Sequence, residues 1–144
     1  MSNLYVVAYD GSPASHRALD FAVDCAERAG AELLIAHVLE WSPYSFLTPE
    51  EVEERHTRRT EELERAKTAV MDPIVESLAA KGVTPRTVIR YGHVAEVLND
   101  IVAKEGASQL FVGRTGHTGM TARLFGAVTI SLAQAASVPC TIVP

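Results

Sequence analysis

Short, unbroken runs of apolar residues alternate along this chain with longer stretches whose apolar residues recur at helical spacing. The first run, residues 4–9, is closed by Asp10-Gly11-Ser12-Pro13, whose serine and proline are typical first residues of a helix. An apolar run followed at once by a helix start is typical of a buried strand in a parallel sheet. We therefore predict a strand, a helix that ends at Gly30, and a second strand over residues 33–38.

The same alternation continues to the end of the sequence. Thr48 with Glu51 predicts a capping box that opens a long helix, which is densely charged and exposed in its first half. Asp72-Pro73 should kink or restart this helix before it ends at Gly82. Residues 39–48 lack clear periodicity and are interpreted as a covering loop. The remaining predicted elements are strands over residues 87–91, 109–112 and 138–143, a helix from residue 94 to Gly106, and a last helix over about residues 126–136.

Five strands alternating with four helices predict an α/β fold, in which a doubly wound, open, five-stranded parallel sheet carries helices on both faces. The length of 144 residues fits one domain, residues 1–144. Hydrophobic residues make up 47% of the sequence, which is enough for a core without metal or disulfide support.

Charge and cysteine content narrow the function classes. The net charge of −5 argues against a nucleic-acid binder, which normally presents a basic face. Cys25 and Cys140 are isolated, which is typical of a reducing compartment. The start of the sequence shows no signal peptide, and no apolar stretch approaches the length of a membrane helix. We expect a cytoplasmic protein that does not insert into membranes.

The candidate chemistry lies in the glycine-rich stretch that follows the fourth predicted strand. Gly113 and Gly116 would let the backbone approach a ligand closely. Gly126 is predicted to open the last helix, whose unpaired N–H groups and dipole would attract an anion. Arg114 and His117 add donors nearby. The alternative interpretation, a solvated loop whose glycines only permit turning, stays open.

No catalytic constellation is visible in the sequence. It contains no Gly-x4-Gly-Lys-Ser/Thr phosphate loop and no His-Glu-x-x-His metal motif. Its five histidines show no ligand spacing, and Ser12 is better explained as a helix cap than as a nucleophile. We therefore predict no catalytic residues.

The pattern Gly113-x2-Gly116-x9-Gly126, directly after an apolar strand, resembles the nucleotide signature of the universal stress protein family. The resemblance covers the whole chain and includes the Asp10-Gly11-Ser12 strand end, the Gly92 turn and the C-terminal Val-Pro-Cys-Thr-Ile-Val strand. It implies the strand order 3-2-1-4-5. It also implies the nucleotide-binding branch, with ATP as the ligand, AMP or ADP as alternatives, and Mg²⁺ accompanying the nucleotide.

The resemblance also implies roles for individual residues. Asp10 would lie near the ribose or a phosphate-bound metal, although it is also a typical turn residue that bonds its own backbone. The implied nucleotide-binding residues are Ala8, Asp10, Val38, Val112, Gly113, Arg114, Thr115, Gly116, His117, Gly126, Ala127, Val128 and Thr129. Ala127 departs from the family pattern, which has serine or threonine there. The missing hydroxyl would weaken binding about ten- to a hundredfold, unless Thr129 compensates.

The function implied is that of a regulatory, ATP-binding stress protein with little or no catalysis. The last strand, residues 138–143, would leave an apolar edge, and we expect a homodimer to cover it. Two alternatives remain open. One is a nucleotide-independent interaction module whose charged helix, residues 50–65, binds a protein client or a transporter. The other is a weak ATPase.

Overall fold

The computed structural model describes residues 3–40, 48–114 and 120–144, without the side chains of Arg55 and of residues 120–127. The strands are β1 (Leu4–Ala8), β2 (Glu32–Glu40), β3 (Arg86–Gly92), β4 (Gln109–Gly113) and β5 (Cys140–Val143). The helices are α1 (Pro13–Ala29), α2 (Pro49–Ala66), α3 (Asp72–Ala79), α4 (Val94–Glu105) and α5 (Met120–Ala135), and a π-helical segment, Lys67–Met71, joins α2 to α3. In these described ranges, no helix has both the length and the hydropathy needed to cross a bilayer.

The strands form one parallel sheet in the order β3-β2-β1-β4-β5, which confirms the predicted fold and strand order. The chain first adds β2 and β3 on one side of β1, and then places β4 and β5 on the other side. The strand order therefore reverses between β1 and β4. The ladder between these two strands runs from Tyr5↔Gln109 to Val7↔Phe111.

Two apolar clusters cover the two faces of the sheet. Val6 and Leu110 belong to the cluster that contains side chains of α4 and α5. Val7 and Phe111 belong to the opposite cluster, which contains side chains of α1 and α3. Because successive side chains of a strand point to opposite faces, β1 and β4 need apolar residues at consecutive positions. This explains the unbroken runs in the sequence.

Most helix ends lie where the sequence predicts them. The Ser12 side chain caps α1, and Gly30 ends that helix with φ 64°. The capping box of Thr48 and Glu51 is present at the start of α2. The predicted break at Asp72-Pro73 takes the form of the π-helical segment, after which Pro73 lies in the first turn of α3.

The predicted start of the last helix at Gly126 is wrong. The helix α5 begins at Met120, so Gly126 lies inside it. Residues 120–125 are Met-Thr-Ala-Arg-Leu-Phe, of which methionine, alanine, arginine and leucine favour helices strongly. One interior glycine costs only about 1 kcal/mol. Local helix propensity therefore outweighs the glycine as a start signal.

A hydrogen bond holds the exposed helix α2 to the edge strand β3. The Tyr91 hydroxyl donates to a carboxylate oxygen of Glu62. The guanidinium carbon of Arg59 lies 5.2 Å from the centre of the Tyr91 ring. Burial, the hydrogen bond to Glu62 and the charge of Glu62 raise the pKa of Tyr91 to about 12 from its ordinary value of 10.0.

We expect the Glu62→Gln variant to lower the pKa of Tyr91 towards 10.0, because the substitution removes the negative charge that opposes tyrosinate formation. The raised pKa stabilises the folded protein below pH 10, and this contribution is lost as the pH rises from 10 towards 12. The measurement is the ultraviolet absorbance of tyrosinate during a pH titration. Tyr91→Phe identifies the signal and Glu64→Gln is the matched control. An unchanged titration in Glu62→Gln would contradict the contact.

Candidate functional site

The strongest candidate site is the crevice between the carboxyl ends of β1 and β4. Pairing between the two strands ends at Val7↔Phe111, whereas β4 continues to Gly113 alongside β5. Asp10 follows β1 on one side of this crevice, and Arg114 follows β4 on the other. Open α/β sheets bind ligands where the strand order reverses in this way. The fold therefore brings the predicted residues of both strand ends to one place.

Asp10 stabilises the turn between β1 and α1. Its Oδ1 accepts a hydrogen bond of 2.9 Å from the backbone N–H of Ser12. Gly11 lies between them with φ 82°, a left-handed conformation that favours glycine. The alternative interpretation of Asp10, a turn residue bonded to its own backbone, is thus confirmed. A carboxylate has several acceptor positions, so this bond is compatible with a ligand contact.

Two fully buried serines form a small hydrogen-bond network at the start of α1. The Ser12 hydroxyl oxygen accepts from the N–H of Ser15 at 3.2 Å, and the Ser15 hydroxyl donates to the Ser12 carbonyl at 2.9 Å. The Ser15 oxygen also accepts from the N–H of Asp10 at 3.3 Å. Ser15 was not among the predicted site residues. The signal was its spacing from Ser12, which is that of the two partners in a capping box.

Gly113 lacks a side chain because β4 packs against the first turn of α1. A Cβ atom at Gly113 would lie 2.9 Å from the carbonyl carbon of Ala14 and 3.0 Å from its Cβ. Its φ is outside the left-handed region, so close packing rather than backbone conformation explains the glycine. Gly113 was predicted to approach a ligand, and its contact with Ala14 was not predicted. That contact joins elements that are distant in sequence.

Val128 and Thr129 lie inside α5 and are buried. The Thr129 hydroxyl donates to the Gly113 carbonyl oxygen at 3.1 Å and so ties α5 to the end of β4. Within a helix, each N–H group points to the carbonyl four residues earlier. The helix-terminus argument for an anion site at residues 126–129 therefore fails. The role of these residues as phosphate ligands stays a prediction that rests on the family resemblance.

The other predicted site residues divide into three groups. Ala8 and Val112 are buried, and Val38 is paired with Arg90 in the β2–β3 ladder. Arg114 is exposed, and its N–H donates to the Val143 carbonyl at 2.7 Å. The residues that lie outside the described parts of the chain are Thr115, Gly116 and His117, the side chain of Ala127, and residues 41–47 of the predicted covering loop.

A buried histidine beside the crevice was not predicted. The Nδ1 atom of His37 lies 2.8 Å from the carbonyl oxygen of Tyr9, the residue before Asp10. The Tyr9 hydroxyl lies 2.8 Å from Nε2 of His16. Burial, together with the charges of Asp10 and Asp20, raises the pKa of Tyr9. The missed signal was a polar residue inside the apolar run of β2.

At this switch point, the carboxylate of Asp10 is fixed in the turn after β1, and the exposed residue Arg114 follows β4. Among the described residues, no group of three or more histidine, cysteine or acidic side chains comes together as a metal site.

Comparisons with known proteins agree with this architecture. The model of the universal stress protein family matches residues 3–144. The chain is 31% identical over 156 aligned positions to universal stress protein YxiE of Bacillus subtilis, and the alignment covers 99% of both chains. Universal stress protein UspA from Lactobacillus plantarum has the same fold, with a TM-score of 0.83, 23% identity, and coverage of 99% of this chain and 97% of that one.

Some structures of this fold contain nucleotides. A universal stress protein from Arabidopsis thaliana, solved with AMP bound, has a TM-score of 0.63 and 18% identity, and the match covers 98% of this chain and 90% of that one. Others were solved with cAMP and, from Archaeoglobus fulgidus, with dAMP. At these identities the likeness establishes the shared fold.

We expect Gly113→Ala to destabilise the protein by about 1–3 kcal/mol even without nucleotide, because the new methyl group overpacks the contact with Ala14. Urea unfolding of the nucleotide-free protein measures this. Gly30→Asn is the control, since its added side chain meets open space and asparagine tolerates the left-handed conformation. Equal stability of Gly113→Ala and the wild type would show that packing does not require this glycine.

Proposed function

Because the chain belongs to the universal stress protein family, we propose that it binds an adenine nucleotide in the crevice between β1 and β4. The observation that carries this proposal is the meeting of the Asp10 turn and the Gly113 end of β4 where the strand order reverses. Proteins of the same fold hold AMP, cAMP and dAMP, which supports the class of ligand. The glycine signature favours ATP, with AMP and ADP as alternatives.

In this proposal Asp10 lies near the ribose or near Mg²⁺ bound to the phosphates. One carboxylate fits such a role, since Mg²⁺ bound with a nucleotide usually takes one or two carboxylates in addition to phosphate oxygens. The backbone at Val38 meets the adenine, and the backbone at Val112 and Gly113 meets the ribose. Arg114 supplies positive charge for the phosphates. Because residues 126–129 lie within α5, the stretch that follows Gly113 is the better candidate for the phosphate contacts.

We propose that nucleotide binding serves regulation, with little or no hydrolysis. The carboxylate of Asp10 accepts a hydrogen bond from the Ser12 amide and so stabilises its own turn, which is a positioning role. A phosphate-release assay on purified protein tests the alternative of a weak ATPase.

We also propose a cytoplasmic location. Both cysteines, Cys25 and Cys140, are free thiols, which supports a reducing environment such as that of the cytoplasm.

We expect Asp10→Asn to weaken the binding of Mg²⁺-ATP about ten- to a hundredfold, the usual cost of losing a charged hydrogen bond. The asparagine oxygen can still accept from the Ser12 N–H, so the turn and the fold should survive. Isothermal titration calorimetry with Mg²⁺-ATP and with AMP measures the affinities, and urea unfolding checks the stability.

Asp24→Asn is the matched control, because it removes the same charge from an exposed ion pair with Arg28 on α1. If wild type, Asp10→Asn and Asp24→Asn bind with equal affinity, Asp10 is not part of the site. If the wild type binds neither nucleotide, the proposed function is wrong.

We also propose a homodimer formed through β5. In the described sheet β5 pairs with β4 on one side and lies at the edge. Ile142 on this strand is 40% exposed, and Ile130 on α5 is 63% exposed. Apolar edge strands are usually covered in stable proteins, because their free backbone groups recruit other strands.

We expect Ile142→Lys to convert the dimer to a monomer, because the substitution places a charge on the apolar edge. Val52→Lys is the control, since Val52 is also a β-branched apolar residue, is 52% exposed and lies on α2, away from the sheet edge formed by β5. Light scattering coupled to size-exclusion chromatography gives the mass. A wild-type monomer at micromolar concentration would count against this interface.

The second candidate function is an interaction module for a protein client. The observation that favours it is the exposure of α2, whose outer face carries Glu50, Glu53, Glu54, Arg58 and Glu61. Failure of the wild type to bind nucleotide, or to gain thermal stability from it, would favour this function over the first.

A further inference from the structure

The peptide group between Tyr9 and Asp10 is held from both sides. Its carbonyl oxygen, which belongs to Tyr9, lies 2.8 Å from Nδ1 of His37 on β2. Its N–H, which belongs to Asp10, donates to the Ser15 hydroxyl on α1 at 3.3 Å. A peptide group is planar, so fixing both of its polar atoms fixes the orientation of the whole plane. The direction in which the Asp10 backbone leaves β1 is thereby set.

The contact determines which nitrogen of His37 carries hydrogen. A carbonyl oxygen only accepts hydrogen bonds, so Nδ1 must be the donor. The His37 side chain adds one more hydrogen bond between β1 and β2, just beyond the end of their backbone ladder. The last paired residues are Ala8 and Ala36, and the Tyr9 N–H donates to the Ala36 carbonyl at 2.9 Å. The histidine then binds the carbonyl of the same tyrosine.

His37 occupies a position where an apolar residue would suit the packing. It is 8% exposed and shares the α1 face of β2 with Leu33 and Ile35, which are core residues. Burying an imidazole has a cost unless its polar atoms are bonded. The hydrogen bond to the Tyr9 carbonyl satisfies one polar atom of the buried imidazole. It also fixes the carbonyl group of the residue that precedes Asp10.

We propose that His37 is a positioning residue of the nucleotide site, acting through the Tyr9 carbonyl to orient Asp10. This inference rests on the proposed function, because it assigns a role towards the same ligand. It predicts that the Nδ1–H donor, rather than the volume or the charge of the imidazole, is what the site needs.

Three substitutions of His37 separate these properties. Asparagine places an amide nitrogen near the position of Nδ1, glutamine places one near Nε2, and leucine fills the apolar space without a donor. We expect His37→Leu and His37→Gln to weaken AMP binding about three- to tenfold, the effect of one neutral hydrogen bond. His37→Asn should restore affinity to near the wild-type value.

The measurements are calorimetric titrations with AMP and with Mg²⁺-ATP, and urea unfolding of each variant. His56→Leu, at an exposed position on α2, is the matched control and should bind as the wild type does. A merely structural His37 would lower stability in all three variants without changing the affinity of the folded protein. That result, or equal weakening by asparagine and leucine, would overturn the proposal.

A nuclear magnetic resonance measurement tests the contact without any ligand. Long-range ¹H–¹⁵N correlations distinguish the two neutral tautomers of histidine, and His37→Asn identifies the signal. We expect the Nδ1–H tautomer of His37. Observation of the Nε2–H tautomer instead would overturn the proposal. If the wild type has the Nδ1–H tautomer but binds no nucleotide, the proposed function is wrong. The positioning role of His37 is then wrong as well, although its hydrogen bond to Tyr9 is confirmed.

Discussion

The fold depends on a pair of strands, β1 and β4, that have no side facing water. Val6, Val7, Leu110 and Phe111 are buried, and neighbours along each strand enter opposite clusters. Because both faces must be covered, helices pack close to the sheet on each side. The approach of α1 is so close at the end of β4 that a side chain at position 113 would collide with Ala14. Burial of the central strands therefore also shapes the floor of the crevice between them.

The sequence predicts those features whose causes are local. Doubly buried strands appear as unbroken apolar runs, and the ends of α1 and α2 appear as capping residues, because each signal lies within a few positions of its effect. The start of α5 was missed because residues 120–125 favour a helix more strongly than Gly126 disfavours one. The packing of Gly113 against Ala14 and the contact of His37 with Tyr9 join residues across the fold. Periodicity along the chain carries no information about such pairs.

The three glycines of the signature, Gly113, Gly116 and Gly126, do not share one structural role. Gly113 makes room for α1, whereas Gly126 is an interior residue of α5, and Gly116 lies outside the described residues. A single anion cradle made from all three, as the sequence suggests, does not follow from this geometry. The proposed nucleotide site therefore rests on the crevice as a whole, with Asp10 after β1 on one side and Arg114 after β4 on the other. In the proposed arrangement the strand ends would position the nucleotide, and Gly113 allows the end of β4 to lie against α1.

The end of β4 also connects the crevice to the edge of the sheet. The Gly113 carbonyl accepts from Thr129 of α5, and the N–H of Arg114 donates to Val143 of β5. A ligand held by the backbone at 112–114 thus contacts residues that are bonded directly to the strand proposed to form the dimer. Contiguity alone does not couple two sites, since a ligand shifts an equilibrium only by its difference in affinity for the two states. Residues 113 and 114 at the end of β4 line the proposed nucleotide site and are also hydrogen-bonded to α5 and β5. The nucleotide would therefore regulate assembly if the conformation of this short segment differs between monomer and dimer.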